Sequence, residues 1–293
     1  MSTGVSSAGV SRTGALKTGL LSARSLRDRR FVVAGAPVLL AVMVIASACG
    51  GADRRITVFA AASLADVFEE IADAFEAEHP EVEVRLSFGG SQRLRLQLTQ
   101  GAEADVFASA NLEQIALAEA EGLTTSPAAT FAGNQLVVVI PASNPAGIGA
   151  VEDLTGDIRL VVAGSSVPAG RLTRDILDRL GLADAVLSQV VSEEESVRRV
   201  LTKVVLAEAD AGFVYRTDAI SAAAAVITLE LNGLGVDLAG LRNDYLIATT
   251  SDTSSPELAV EFVAFVESET AQAILREAGF LNLVEGAEVE VGQ

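Results

Sequence analysis

The sequence contains no tryptophan, a single cysteine, a single histidine and two tyrosines. One cysteine, Cys49, forms neither an internal disulfide nor a multi-thiol metal site. The lone histidine sits in Glu78-His79-Pro80-Glu81, which reads as the exposed end of a helix stopped by proline rather than as a catalytic or metal-binding centre. Tyr215 and Tyr245 are too few for the tyrosine and carboxylate sets that capture ferric iron. There is no Gly-x-Ser-x-Gly elbow, no P-loop and no Gly-x-Gly-x-x-Gly opening a nucleotide site. With no histidine to spare, these absences point away from an enzyme. Positive charge is also scarce: 21 basic residues face 39 acidic ones, a net charge of −18.

Such basic residues as there are gather at the start. Residues 1 to 30 hold Arg12, Lys17, Arg24, Arg27, Arg29 and Arg30 against one acid, Asp28. They lead into the apolar run Phe31 to Ile45, giving a basic region followed by a hydrophobic one, as in an export signal. The run is broken by Gly35 and Pro37 and is short beside the roughly 20 residues that a spanning helix needs. It ends in Ala46-Ser47-Ala48-Cys49, which resembles the lipobox of bacterial lipoproteins. That resemblance implies a signal peptide over 1–48, lipidation of Cys49, a short linker over 49–54, and a protein held at the outer face of the cell membrane through its lipid alone. Setting aside residues 1 to 48, with six basic residues and one acid, leaves 15 basic against 38 acidic, a net charge of −23. A chain so acidic is a poor partner for nucleic acid.

The remaining stretch alternates strand and helix. Ile56 to Ala60 is a short apolar run, after which Leu64, Val67, Phe68, Ile71 and Phe75 recur at helical spacing. Val82 to Phe88 and Asp105 to Ser109 read as strands, with helices around Leu94 and Leu98 and from Leu112 to Glu121. Further strands are expected at Leu136 to Ile140, Leu160 to Val162, Gly212 to Tyr215 and Leu246 to Thr249. Helices are expected from about Pro168 and Glu194, and over Pro256 to Glu267 and Thr270 to Ala278. Strands alternating with helices predict an α/β fold with parallel sheets.

Several strand ends carry anion-binding features. Ser63 stands where a strand meets a helix, with Asp66 three residues on, so it reads as an N-cap. A helix start also leaves N–H groups free and carries partial positive charge, which suits an anion. Ser91 repeats the pattern behind Gly89-Gly90, and Val167-Pro168-Ala169-Gly170 puts proline at a first helical position. In open α/β sheets, ligands bind beyond the carboxyl ends of the strands, where all these loops fall.

The segments Phe59-Ala60-Ala61-Ala62-Ser63-Leu64, Gly101 to Ala110, Gly133-Asn134-Gln135-Leu136, Val167-Pro168-Ala169-Gly170 and Gly212-Phe213-Val214-Tyr215 share their order and spacing with periplasmic molybdate-binding proteins. The resemblance spans about residues 55 to 281. Glu103 and Asn111 replace the expected proline and aspartate, and Gly89-Gly90 a more serine-rich turn. It implies a two-lobed type II periplasmic binding protein, each lobe a mainly parallel sheet flanked by helices, with the ligand in the cleft between them. Residues 55–134 and 245–293 would form one lobe and 135–244 the other. Ser63 and Ser91 would donate hydroxyl and backbone N–H bonds, Ala169 and Val197 backbone N–H, and Tyr215 its hydroxyl, to molybdate or tungstate. The metal would be held through its oxygens alone, with no direct protein–metal bond and no cofactor. The partner implied is the permease of an ABC importer, served by a monomer. Sulfate or another oxyanion is the alternative ligand.

Neutral donors fit such a ligand. Each hydrogen bond to a charged acceptor contributes about 1.5 to 3 kcal/mol, and a donor has nothing to offer an O–H group, so protonated phosphate is disfavoured. Arg93, Arg171, Arg198, Arg199 and Arg216 all lie within two residues of these positions. Two readings are open for them: helix-end residues paired with the abundant acids, or a basic rim that steers anions inward.

Overall fold

The computed structural model describes residues 54–125, 127–231 and 242–281. The expected signal peptide over 1–48, Cys49 and nearly all of the linker lie outside these residues. So do 282–293 of the expected first lobe and 232–241 of the second.

The chain begins with β1 (Arg54–Ala61), a 3-10 turn (Ala62–Leu64) and α1 (Ala65–Glu78). There follow β2 (Val82–Gly89), α2 (Ser91–Thr99), β3 (Val106–Ser109), α3 (Leu112–Ala120) and β4 (Ala129–Asn134). Next come β5 (Leu136–Pro141), β6 (Leu160–Ala163), α4 (Pro168–Leu180), α5 (Ala183–Leu187), β7 (Val190–Glu194), α6 (Val197–Val205), β8 (Ala211–Tyr215), α7 (Arg216–Ser221) and β9 (Val226–Leu229). The last elements are β10 (Asn243–Thr249), α8 (Pro256–Val266) and α9 (Glu269–Glu277).

Two five-stranded sheets result, ordered β2-β1-β3-β10-β4 and β7-β6-β8-β5-β9. In each, four strands point one way and one is reversed: β10 in the first sheet, β5 in the second. The reversed strand is the one that has just crossed over from the other sheet. Only Gln135 separates β4 from β5, so the first crossover is as short as a chain allows. The mainly parallel, two-lobed α/β architecture expected from the sequence is therefore present.

Burial explains the strand composition. β3, β5, β6 and β8 are buried along their whole length, as strands covered on both faces must be, and they are runs of Val, Ile, Phe and Ala. α1 turns Val67, Phe68, Ile71 and Phe75 inward, where Phe75 meets Phe262 of α8 edge-on at 5.2 Å between ring centres. Truncating so enclosed a ring costs about 3 to 5 kcal/mol. His79 ends α1 and lays its ring on Phe75 at 4.4 Å, a packing role.

One boundary differs from expectation. The helix placed at about Glu194 begins at Val197, because Val190 to Glu194 pairs as a parallel strand with β6, Glu194 opposite Ala163. Ser196 is still extended, and the helix starts only after it.

Candidate functional site

The carboxyl ends of β1, β2, β3, β6 and β8 converge on one cavity between the sheets. Its lining includes Ser63, Ser91, Ala169, Val197 and Tyr215, all five residues singled out from the sequence, together with Ala62, Gly90, Ala110, Pro168 and Ser196. The lining holds no charged side chain, and the cavity is small, about 10 Å³.

Each wall is made by a helix start. Ser91 is the first residue of α2, Pro168 of α4 and Val197 of α6, and no side chain caps any of these three helices. Their first N–H groups therefore keep the unmet demand that a cap would have satisfied, at the positive ends of their dipoles. Pro168 costs nothing there, since the N–H it lacks has no intrahelical partner. Gly170 is dictated by packing: a Cβ on it would stand 2.1 Å from the carbonyl oxygen of Gly164. Only glycine lets α4 approach the end of β6 this closely.

Ser63 departs from its expected role. It lies in the 3-10 turn before α1, the N-cap of α1 is Leu64, and the Ser63 hydroxyl caps nothing. Instead its Oγ is 2.8 Å from the hydroxyl of Tyr245, a buried contact between residues 182 apart in sequence. Ser91 also spends its side chain away from capping. Its Oγ accepts the N–H of Ala110 at 3.0 Å, which leaves its own hydrogen free. Tyr215 ends β8, and its hydroxyl accepts from Asn243 Nδ2 at 2.5 Å. Burial pushes the hydroxyls of both Tyr215 and Tyr245 well above their ordinary titration range, so both stay protonated.

Behind Tyr215 lies the one buried acid of the site. Asp218 Oδ2 accepts the Tyr215 N–H at 3.2 Å, and burial pushes the carboxyl up to about 7, opposed by the Arg198 guanidinium and that N–H. Arg198 Nε lies 2.8 Å from Asp218 Oδ1, poorly aligned for a hydrogen bond, while its Nη2 reaches Asp66 at 2.6 Å.

The five arginines near the cavity are all paired. Arg93 meets Glu195 at 3.0 Å, Arg171 meets Glu113 at 2.8 Å, Arg199 meets Glu195 at 2.9 Å, and Arg216 meets Glu230. Three of these contacts, Arg93–Glu195, Arg171–Glu113 and Arg198–Asp66, join one lobe to the other across the cleft. A free basic rim is therefore not what these residues form. Gly90 joins the same seam: a Cβ there would lie 2.3 Å from the carbonyl oxygen of Glu195. Gly90 was singled out with Gly89 ahead of Ser91, whereas sequence reasoning missed Asn243 and Tyr245, because their partners are supplied by distant segments.

An uncharged cavity between two α/β lobes, walled by hydroxyls and helix starts, is the arrangement of a solute-binding protein. Comparison with known proteins agrees. The chain belongs to the family of bacterial extracellular solute-binding proteins, whose model matches residues 56–281. It is 43% identical over 228 residues to the molybdate-binding protein ModA of Mycobacterium tuberculosis, a match covering 78% of this chain and 84% of that protein. It is 36% identical over 196 residues to the ModA of Escherichia coli, covering 64% and 74%. In fold it is similar to the periplasmic molybdate-binding protein of Azotobacter vinelandii, with a TM-score of 0.67 at 23% identity over 77% of this chain and 98% of that one. The sulfate-binding protein SubI of Mycobacterium tuberculosis is equally similar, with a TM-score of 0.67 at 18% identity over 78% and 87%. Among the described residues no helix is long and apolar enough to cross a membrane.

Proposed function

We propose that this protein captures molybdate or tungstate outside the cytoplasm and delivers it to the permease of an ABC importer. The observation that carries this reading is the convergence of Ser63, Ser91, Ala169, Val197 and Tyr215 on one uncharged cavity. The hydroxyls of Ser63, Ser91 and Tyr215 and the backbone N–H groups of Ala169 and Val197 hold the oxygens of the anion. The metal touches no protein atom, and no cofactor takes part. The 43% identity to a protein named for molybdate supports the choice of ligand. We further propose a monomer anchored by a lipid on Cys49, after removal of residues 1–48.

Calorimetric titration with four anions tests the ligand. Molybdate and tungstate are expected to bind most tightly, sulfate more weakly and phosphate weakest. Tight sulfate binding with no response to molybdate would move the assignment to sulfate. For the anchor, Cys49→Ser is expected to leave the membrane fraction, and continued retention there would refute lipidation.

A further inference from the structure

The crossovers lie at one side of the molecule. β4 and β10 stand at one edge of the first sheet and β5 and β9 at one edge of the second, and the chain passes between lobes from β4 to β5 and from β9 to β10. β2 and β7 form the opposite edges. A hinge at the crossovers therefore moves the ends of β2 and β7 furthest as the cleft closes. There the two lobes meet backbone to backbone. Gly90, the residue after β2, faces the carbonyl of Glu195, the residue after β7, and a Cβ on Gly90 would stand 2.3 Å from that oxygen. The glycine is not required by its own conformation, since φ −62° and ψ 136° are open to any residue. Within its own lobe an added Cβ would meet the Gln92 side-chain amide at 2.6 and 2.7 Å, the far end of a flexible side chain that can swing away. What Gly90 makes room for is the other lobe.

The Glu195 carbonyl is not free to yield. Gly164 N–H donates to the carbonyl of Glu194 at 2.9 Å, which pins the end of β7 beside β6. From the first lobe, Gln92 Nε2 donates to the Glu195 carbonyl at 3.0 Å, and Arg93 meets the Glu195 carboxylate. The contact also sits beside a ligand-facing residue of each lobe: Gly90 precedes Ser91, and Glu195 stands two residues before Val197. We propose that Gly90 is a size-determining residue: its backbone against the Glu195 carbonyl is the stop on closure of the cleft, setting the separation of Ser91 and Val197 and the smallest oxyanion that both lobes can grip at once. Gln92 and Arg93 act as the catch that holds the lobes on this stop. Sulfate is smaller than molybdate, because S–O bonds are shorter than Mo–O bonds, so a cleft stopped short loses its grip on sulfate first. This deepens the reading of the site as an oxyanion receptor, and rests on it.

The test is calorimetric titration of the full chain and its variants with molybdate and with sulfate. Gly90→Ala wedges the lobes apart, and is expected to weaken molybdate about tenfold and sulfate at least about fivefold more than that. Gly90→Ala with Gln92→Ala removes the amide beside the new methyl, and should keep the shift in ratio because the carbonyl remains. Glu195→Gln leaves that carbonyl and loosens only the catch, so both anions should weaken by the same factor, less than about threefold. Equal losses for the two anions in Gly90→Ala would show a general defect of closure with no part in selection. A larger loss for molybdate would show that the methyl fills the cavity, and a ratio restored in the double variant would assign the effect to Gln92. Each of these three results overturns the stop. Wild-type protein that prefers sulfate would overturn only the choice of molybdate, and Gly90→Ala is then still expected to move the ratio toward molybdate. Wild-type protein that binds neither anion would overturn the oxyanion reading itself.

Discussion

The first sheet presents a concave surface at each end, and the two could hardly differ more. At its carboxyl end is the cavity of about 10 Å³, walled by small residues, hydroxyls and helix starts. At its amino end is a groove of about 630 Å³ that includes Arg54, Arg55 and Arg85 alongside Glu103, Asp105 and Asp252. By size and positive charge the groove would be the anion site. Yet its cations are already answered: Arg54 pairs with Glu81, and Arg55 and Arg85 with Glu83. Asp105 is likewise spent, accepting from Thr57, Thr253 and Ser254. What marks an anion site is donors that the protein leaves unanswered, and those are at the small neutral end.

The largest effect that would sharpen this contrast concerns Asp218, the buried acid behind Tyr215. Its folded value, about 7, lies above the ordinary 3.8, so the folded protein holds a proton that the unfolded chain releases between those values. Stability from this group is thus full on the acid side and is lost as pH rises toward about 7, on the order of a few kcal/mol. Urea unfolding of Asp218→Asn at about pH 5 and pH 8 is expected to show the variant gaining on wild type at the higher pH. A difference that stays constant between the two would mean that Asp218 is ionised throughout.

Next comes Gly90. Because an added Cβ would strike Glu195 of the opposite lobe, Gly90→Ala should cost binding about 1 to 3 kcal/mol while leaving unfolding nearly unchanged. Unaltered affinity, measured by titration, would mean that the ligand binds with the lobes further apart.

The smallest effects belong to the arginines. Arg85→Gln, in the groove, should alter ligand affinity less than about twofold, since exposed pairs contribute about 0 to 1 kcal/mol at most. Arg171→Gln breaks a pair across the cleft and should raise the dissociation rate about two- to fivefold. If Arg85→Gln weakened binding more than Arg171→Gln, the assignment of the two ends would have to be reversed.

Much of this was legible in the sequence because it is local. Buried runs such as Val137-Val138-Val139 and the spacing of Phe68, Ile71 and Phe75 report burial directly. β4 escaped notice because Ala-Thr-Phe-Ala-Gly-Asn has weak strand preference and is held by its ladder to β10. β7 escaped because its acidic end, Ser192 to Glu194, takes its conformation from pairing with β6. The five cavity residues were found from the family pattern, but Tyr245 and Asn243 were not. Their importance lies in bonds such as Ser63 to Tyr245, which no local pattern encodes. The arginines mislead for the same reason, since their partners, Glu113, Glu195 and Asp66, come from other segments.

The measurement that bears most directly on donors against charges is the salt dependence of molybdate association. With no tryptophan to obscure it, the fluorescence of Tyr215, in the cavity wall, offers a stopped-flow signal. Beyond residue 48 the chain carries −23, and its cleft arginines are paired, so nothing draws the dianion in from a distance. Between about 10 mM and 500 mM salt the association rate is expected to stay level or rise, as screening relieves repulsion from the acidic surface. A rate that falls steeply over that range would show that positive charge steers the ligand, and would contradict capture by neutral donors alone.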